Sequence, residues 1–240
     1  MNKPVLGVLG GVGPLATAYF MKLLVERTPA HTDQEHVPVV IINDPQIPDR
    51  TSFILNRLAP DPLPEMVGVA RRLETFGVDY IAVPCNTAHY FYDALTHAVE
   101  IPVLNIVEET ARTIAEHVGT PAKVGIMATE GTISSGVYDM WFEPYGIQTV
   151  APSERDQKVL NSLIYEKVKA NQPYDEQDLV GVVQGLIDQG CDAVVVGCTE
   201  LSVVYQGMAD PPGGVFDSLA VLADRCIKKH FEERDERHAG

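Results

Sequence analysis

Gly77-Val78-Asp79-Tyr80-Ile81-Ala82-Val83-Pro84-Cys85 and Gly190-Cys191-Asp192-Ala193-Val194-Val195-Val196-Gly197-Cys198 are two versions of one segment, and their likeness decides how the chain is organised. It begins upstream, where Val67-Gly68-Val69 and Leu73 correspond to Val180-Gly181-Val182 and Leu186. Val67, Gly68, Val69, Leu73, Gly77, Asp79 and Cys85 recur with the same residue type at a constant offset of 113 (85 to 198), Val78 and Cys191 being the exception among these anchors, and the strand between them stays apolar in both copies. Downstream, Pro102-Val103-Leu104-Asn105 with Ala111 answers Gly214-Val215-Phe216-Asp217 with Ala223, at an offset of 112 (105 to 217). The openings agree as well: Val5-Leu6-Gly7-Val8-Leu9 leading to Gly13 matches Lys123-Val124-Gly125-Ile126-Met127 leading to Gly131, at an offset of 118 (13 to 131). A unit of strand, glycine-bearing turn, helix, strand, cysteine and helix therefore occurs twice.

The fold class follows from what lies between these anchors. Short β-rich runs at Val5–Leu9, Val37–Ile42, Tyr80–Val83, Val103–Ile106, Val124–Met127, Gln148–Val150, Ala193–Val196 and Val215–Phe216 alternate with helical patterns at Ala16–Arg27, Leu63–Phe76, Glu108–His117, Glu154–Ala170, Asp175–Gln189 and Leu219–Glu232. Such alternation predicts an α/β protein. Two similar lobes, each a mostly parallel sheet flanked by helices, would face one another across a cleft. Runs as continuously apolar as Ala193–Val196 fit strands covered on both faces. The expected division is 1–105 plus 215–240 for the first lobe and 106–214 for the second. Asn43–Asp49 and Gly207–Gly214, rich in proline and glycine, read as loops, and the charged run Glu232–Gly240 reads as a frayed or solvated end.

Bulk properties narrow the functions. With 240 residues and 45% apolar content the chain can bury a substantial core, and its formal charge of −15 disfavours nucleic acid and anionic membrane surfaces. No cationic leader, no cleavage signal and no apolar run long enough to span a bilayer is present, so a cytoplasmic protein is expected, with Cys85, Cys191, Cys198 and Cys226 as reduced thiols. The cysteines lack metal-ligand spacing, so no metal is expected.

The repeat gives two of these cysteines a shared setting. Ligands of open α/β sheets bind at the carboxyl ends of strands. Cys85 and Cys198 each follow such an end and precede a helix, whose amino terminus favours a thiolate. Two thiols on opposite sides of a substrate carbon could remove a proton from one face and deliver one to the other, which is cofactor-free racemisation or epimerisation. Cys191 has no counterpart in the first repeat and Cys226 sits inside a helical pattern; both read as structural.

Four motifs carry a further resemblance: Gly10-Gly11-Val12-Gly13-Pro14-Leu15-Ala16-Thr17, Asn43-Asp44-Pro45 with Ile47-Pro48-Asp49-Arg50, Pro84-Cys85-Asn86-Thr87-Ala88-His89, and Gly197-Cys198-Thr199-Glu200-Leu201. Together they resemble the aspartate/glutamate racemase family, its aspartate racemases in particular, over nearly the whole chain. The resemblance implies an isomerase independent of pyridoxal phosphate or any other cofactor, acting on a dicarboxylic amino acid, with Cys85 and Cys198 as opposed acid and base. It assigns Arg50 to the substrate's side-chain carboxylate, a task suited to a bidentate guanidinium, and Lys167 as a second carboxylate-binding group. Asn86, Thr87, Thr129, Thr132 and Thr199 would supply donors to the α-carboxylate. Glu200 stands where glutamate racemases often carry a histidine, and His89 reads as structural. Family members are often dimers, so a homodimer is expected.

The run Gly11-Val12-Gly13-Pro14-Leu15-Ala16 also has the form of a dinucleotide fingerprint, yet no acidic residue follows at the usual distance to hold a ribose. The preferred reading places Val12 at the substrate, the glycines allowing close backbone approach and Pro14 opening the next helix. Two other functions stay open on the residues alone: a related cofactor-free isomerase or decarboxylase acting on hydantoins, maleate or arylmalonates, and a non-catalytic dicarboxylate-binding protein.

Overall fold

The computed structural model describes residues 3–239, with side chains through 235; Met1, Asn2 and Gly240, which the lobe boundaries and the charged end had included, lie outside them. Its strands are β1 (Leu6–Gly10), β2 (Val39–Asn43), β3 (Tyr80–Ala82), β4 (Val103–Leu104), β5 (Ala122–Met127), β6 (Ile147–Val150), β7 (Ala193–Val196) and β8 (Val215–Asp217). The helices are α1 (Pro14–Arg27), α2 (Arg50–Leu55), α3 (Leu63–Thr75), α4 (Tyr92–Thr96), α5 (Ile106–Val118), α6 (Glu130–Ser135), α7 (Val137–Phe142), α8 (Glu154–Asn161), α9 (Glu176–Asp188), α10 (Thr199–Gly207) and α11 (Ser218–Ala239). No helix among the described residues is long and apolar enough to cross a membrane.

The strands form two four-stranded parallel sheets of identical topology, β2-β1-β3-β4 and β6-β5-β7-β8. Register agrees as well: Leu6 pairs with Tyr80 in the first sheet and its repeat-mate Val124 pairs with Ala193 in the second. The residues that held register in the sequence have matching work. Asp79 accepts a hydrogen bond from the Val5 N–H at 2.6 Å, and Asp192 one from the Lys123 N–H at 2.8 Å, each tying the entry of the central strand to its neighbour. Gly7 and Gly125 leave room for Leu73 and Leu186, since a Cβ at either glycine would come within 3.4 Å or less of that leucine's side chain.

Alternate strand residues divide between two environments, as strict period-two pleating requires. Leu6, Val8, Tyr80, Ala82, Val124, Ile126, Ala193 and Val195 enter one core shared by both lobes with residues of α1, α5, α7 and α11. Leu9, Ile81 and Val83 face a separate core under α3, while Met127, Val194 and Val196 face another under α9. Helices α5 and α11 are the mortar between lobes: they pack on one another, α11 also on α1 and α5 also on α7. Cys226 lies wholly within the shared core and Cys191 within that of the second lobe.

One expectation changes and another narrows. Strand β8 belongs to the second sheet, so residues 215–217 do not join the first lobe as the 215–240 division proposed; edge pairing with β7 holds them, and α11 crosses over to α1. Of the frayed or solvated end expected from Glu232, the structure has a solvated helix: α11 continues to Ala239, with Lys228–Glu232 and Lys229–Glu233 pairs one helical turn apart at the start of that run.

Candidate active site

Both sheets point their carboxyl ends into one cleft. It is lined by Val12, Asp49, Arg50, Thr51, Cys85, Asn86, Thr87, Thr129, Tyr165, Lys169, Cys198, Thr199 and Glu200, and its empty space is about 290 Å³ including the mouth. The room within the walls is only about 10 Å³, so the cleft is nearly closed in this structure. Cys85 follows β3 just ahead of a 3₁₀ turn, Thr87–Phe91; Cys198 follows β7 as the N-cap of α10. Both are buried free thiols.

The threonines form a polar bridge between the lobes. Thr87 and Thr51 come from the first lobe, Thr129 and Thr132 from the second. Thr87 Oγ1 lies 2.7 Å from Thr132 Oγ1 and 3.1 Å from Thr129 Oγ1, and Thr51 Oγ1 donates to Thr129 Oγ1 at 3.1 Å. Thr129 also caps α6 by accepting from the Thr132 N–H. Thr132 thus stands behind Thr87 and Thr129 rather than on the cleft wall. Asn86 is clamped from below: the Tyr138 hydroxyl donates to Asn86 Oδ1 at 2.8 Å, and Asn86 Nδ2 donates to Ser218 Oγ at 2.9 Å.

Arg50 opens α2, a helix capped by Asp49, whose Oδ1 accepts from the Ser52 N–H. Its Nη1 donates to the Pro48 carbonyl at 3.0 Å, while its Nε is buried and has no hydrogen-bond partner in the protein. Burial opposes the guanidinium's charge, but Cys85 and Asp49 outweigh it and keep the pKa above its ordinary value. A buried, charged donor without a partner costs on the order of 1–3 kcal/mol or more, a cost that an acceptor placed against Nε would remove.

Lys169 stands on the opposite wall, and here the sequence reading needs correcting. Lys169, not Lys167, reaches the cleft; Lys167 lines a separate surface groove with Tyr174 and Asp175. The reason is helical phase. Tyr165 and Lys169 are four residues apart and share a face, whereas Lys167 is two from each and points away. The segment Ser162–Val168 is a π-helical turn, with Lys169 N–H donating to the Ile164 carbonyl five residues back, a feature often found at functional sites.

Glu200 links Lys169 to the second cysteine. Lys169 Nζ lies 2.6 Å from Glu200 Oε1, and Cys198 Sγ donates to Glu200 Oε2 at 3.1 Å. Burial, then the Glu200 charge, pushes the Cys198 thiol well above its ordinary pKa, with Lys169 opposing. These two effects work against the thiolate that a helix amino terminus favours. Burial also works against the charge on Lys169, yet Glu200 and Cys198 hold its pKa above the usual lysine value. Gly13, at φ 125°, permits this arrangement: a Cβ there would sit 2.7 Å from Glu200 Oε1. The glycine loop is therefore shaped around Asp44 and Glu200, and its Val12 lines the cleft as expected.

His89 stabilises the loop from outside. Its Nδ1–H donates to the Cys85 carbonyl at 2.9 Å and its Nε2 accepts from the Ile106 N–H at 3.2 Å, a tautomer set by those two partners. Complete burial lowers its pKa to about 4, leaving it neutral.

Two lobes of one topology, each presenting a cysteine at an equivalent strand end to a common cleft, invite comparison with known proteins. A profile of the Asp/Glu/hydantoin racemases matches residues 9–226. The chain belongs to that family. It is accordingly an isomerase, a racemase by family. The broad-specificity amino-acid racemase RacX of Bacillus subtilis is 30% identical over 234 residues, covering 94% of this chain and 98% of its own. The solved aspartate racemase of Picrophilus torridus superposes with a TM-score of 0.81 at 31% identity, covering 95% of this chain and 94% of that one. The glutamate racemase of Francisella tularensis, at 19% identity and a TM-score of 0.67, shares the family fold over 97% of this chain and 82% of its own. Of the cleft's lining, the sequence had singled out Cys85, Cys198, Val12, Arg50, Asn86, Thr87, Thr129, Thr199 and Glu200. It had not singled out Asp49, Thr51, Tyr165 or Lys169. The i, i+4 spacing of Tyr165 and Lys169 was the signal available for the last two.

Proposed function

We propose that the protein racemises aspartate without a cofactor, with Cys85 and Cys198 as opposed bases. The observation that carries this reading is that the two thiols come from equivalent strand ends of a duplicated chain and line the same small cleft. In one direction a thiolate takes the α-proton, forming an S–H bond as the Cα–H bond breaks. The other thiol then gives its proton to the opposite face of Cα and becomes the thiolate. General acid–base help of this kind contributes typically 10²–10⁴-fold.

Electrostatics favour a dicarboxylic substrate of compact size. Arg50 offers the unpartnered Nε, and Lys169 stands across from it. These two cations suit the side-chain carboxylate, in the role that the sequence had given to Lys167. Hydroxyls of Thr87, Thr129 and Thr51, with Thr199 and the clamped Asn86, suit the α-carboxylate, whose developing negative charge they stabilise in the transition state. The Picrophilus torridus relative is an aspartate racemase, and RacX is described as acting broadly on amino acids; both are compatible with an amino-acid substrate here.

The test is incubation of the purified protein with L-aspartate, and separately L-glutamate, followed by chiral chromatography. D-aspartate is expected from wild type, and its formation is expected to vanish in Cys85→Ala and in Cys198→Ala. Exchange of the α-proton in deuterated solvent, followed from each enantiomer, reports the two half-reactions. Full racemisation by the double Cys→Ala variant sinks the mechanism. Binding of aspartate in a calorimeter with no change in optical activity would leave a dicarboxylate-binding protein instead.

A further inference from the structure

The repeat makes the two cysteines equivalent in position, but their neighbours are not equivalent. Position 200 corresponds to Thr87 at the offset of 113. Thr87 has a neutral hydroxyl, within hydrogen-bond distance of those of Thr129 and Thr132. Glu200 instead turns its carboxylate to the nearby sulfur, 3.1 Å from Cys198 Sγ, with its second oxygen 2.6 Å from Lys169 Nζ. The carboxylate is buried and has a space kept for it by Gly13. On the other side of the cleft the charged neighbour of Cys85 is a cation, Arg50.

We propose that Glu200 is a positioning residue that holds the proton on Cys198, so that the resting enzyme presents Cys198 as the acid, with Lys169 setting how firmly it is held. The proposal rests on Cys198 being one of the two acid–base groups. A carboxylate in hydrogen-bond contact stabilises the thiol, which can donate to it, and repels the thiolate, which cannot. Lys169 neutralises part of that repulsion and limits the effect. The other groups facing Cys198 are Tyr165 before Lys169, Tyr138 from α7 with Asp217 at the end of β8 beside it, and Cys85 and Arg50 from the first lobe. Burial keeps both tyrosines protonated, their pKa values raised, so they add no charge near neutral pH. Glu200 is thus the anion in contact with the sulfur, and Lys169 the cation that opposes it. The two halves of the duplication have diverged from two like cysteines into one held by an anion and one beside a cation.

The thiolate is the reactive form toward alkylating agents, so alkylation reads the proton on sulfur directly. In a Cys85→Ala background, iodoacetamide modification of Cys198 is followed against pH, with the labelled peptide located by mass spectrometry. An anion 3 to 4 Å away is worth more than one tenfold step at an effective dielectric constant of about 20. Glu200→Gln is therefore expected to speed alkylation at fixed pH by about tenfold or more and to shift the profile to lower pH. Lys169→Met is expected to do the reverse. Glu200→Asp, which keeps the charge but withdraws it by one methylene, falls between wild type and Glu200→Gln and serves if the amide variant does not fold. Alkylation that is unchanged or slower in Glu200→Gln, or in Glu200→Asp if that is the variant that folds, overturns the proposal, because a merely structural role would not give opposite shifts for the two partners. Aspartate racemisation by Cys198→Ala is measured in parallel. If that variant still racemises, the two-cysteine reading fails on its own, whatever the alkylation profile shows.

Discussion

Substituting Gly131 by alanine tests how tightly the lobes must close for the cleft to work. Gly131 sits in α6 with ordinary helical geometry, so an alanine there meets no backbone strain. Space is the constraint: its Cβ would lie 2.7 Å from Thr51 Cα, 2.8 Å from Thr51 Oγ1 and 2.9 Å from Thr51 Cβ. Carbon atoms rest comfortably at about 3.5–4.0 Å, so α2 and α6 must part by about 1 Å. Thr51 is backbone-fixed next to Arg50, so Arg50 moves away from the second lobe with it. Overpacking of this kind costs about 1–3 kcal/mol, which for a chain of this length lowers Tm by roughly 2–12 °C. A displacement of about 1 Å between reacting groups costs on the order of 100-fold in rate. The assay is kcat/KM for aspartate by chiral chromatography beside a thermal melt. Gly68 supplies the control. It lies in α3 with nothing within 4 Å of its would-be Cβ, so Gly68→Ala should leave kcat/KM unchanged and gain up to about 1 kcal/mol from helix propensity. Wild-type kcat/KM and Tm in Gly131→Ala would refute the reasoning.

Two further outcomes follow from side chains near the cleft. Lys169→Ala should raise KM for aspartate by about tenfold to 100-fold, the range for one charged hydrogen bond, while Lys167→Ala stays within about twofold of wild type; equal losses in both variants would contradict the helical phase seen here. His89 is buried neutral with its pKa lowered from 6.5 to about 4. The unfolded chain therefore binds this proton at a higher pH than the folded one. Its stabilisation is complete above about pH 6.5 and is lost as pH falls toward 4, by roughly 3 kcal/mol. Denaturant melts across that window should show a shallower loss in His89→Gln than in wild type, and parallel slopes would exclude the histidine as a cause.

How much of this was legible beforehand depended on whether a residue's role was local or relational. Cys85 and Cys198 were legible because a duplicated chain repeats its strand ends, and strand ends are where α/β sheets bind ligands. Asp79 and Asp192 held register because each ties a strand entry to its neighbour, a local need that both copies share. Lys167 was taken in place of Lys169 because choosing between two lysines two residues apart requires the rotational phase of the helix against the cleft, and Tyr165 fixes that phase only once the fold is known. Val215–Asp217 was placed with the first lobe although the repeat marks it as the counterpart of Val103–Asn105, and so as the edge strand of the second sheet.

By itself the sequence determined the duplication, the parallel α/β architecture and the equivalence of the two cysteines, since apolar periodicity, glycine placement and repeated spacing are properties of the chain read in order. Only the tertiary structure decided that the shared core of α1, α5, α7 and α11 brings the two strand ends to one cleft, that Arg50 is left with an unpartnered Nε, and that Glu200 reaches from Lys169 to Cys198. These depend on distances between residues far apart in the chain, and packing sets those distances, not spacing.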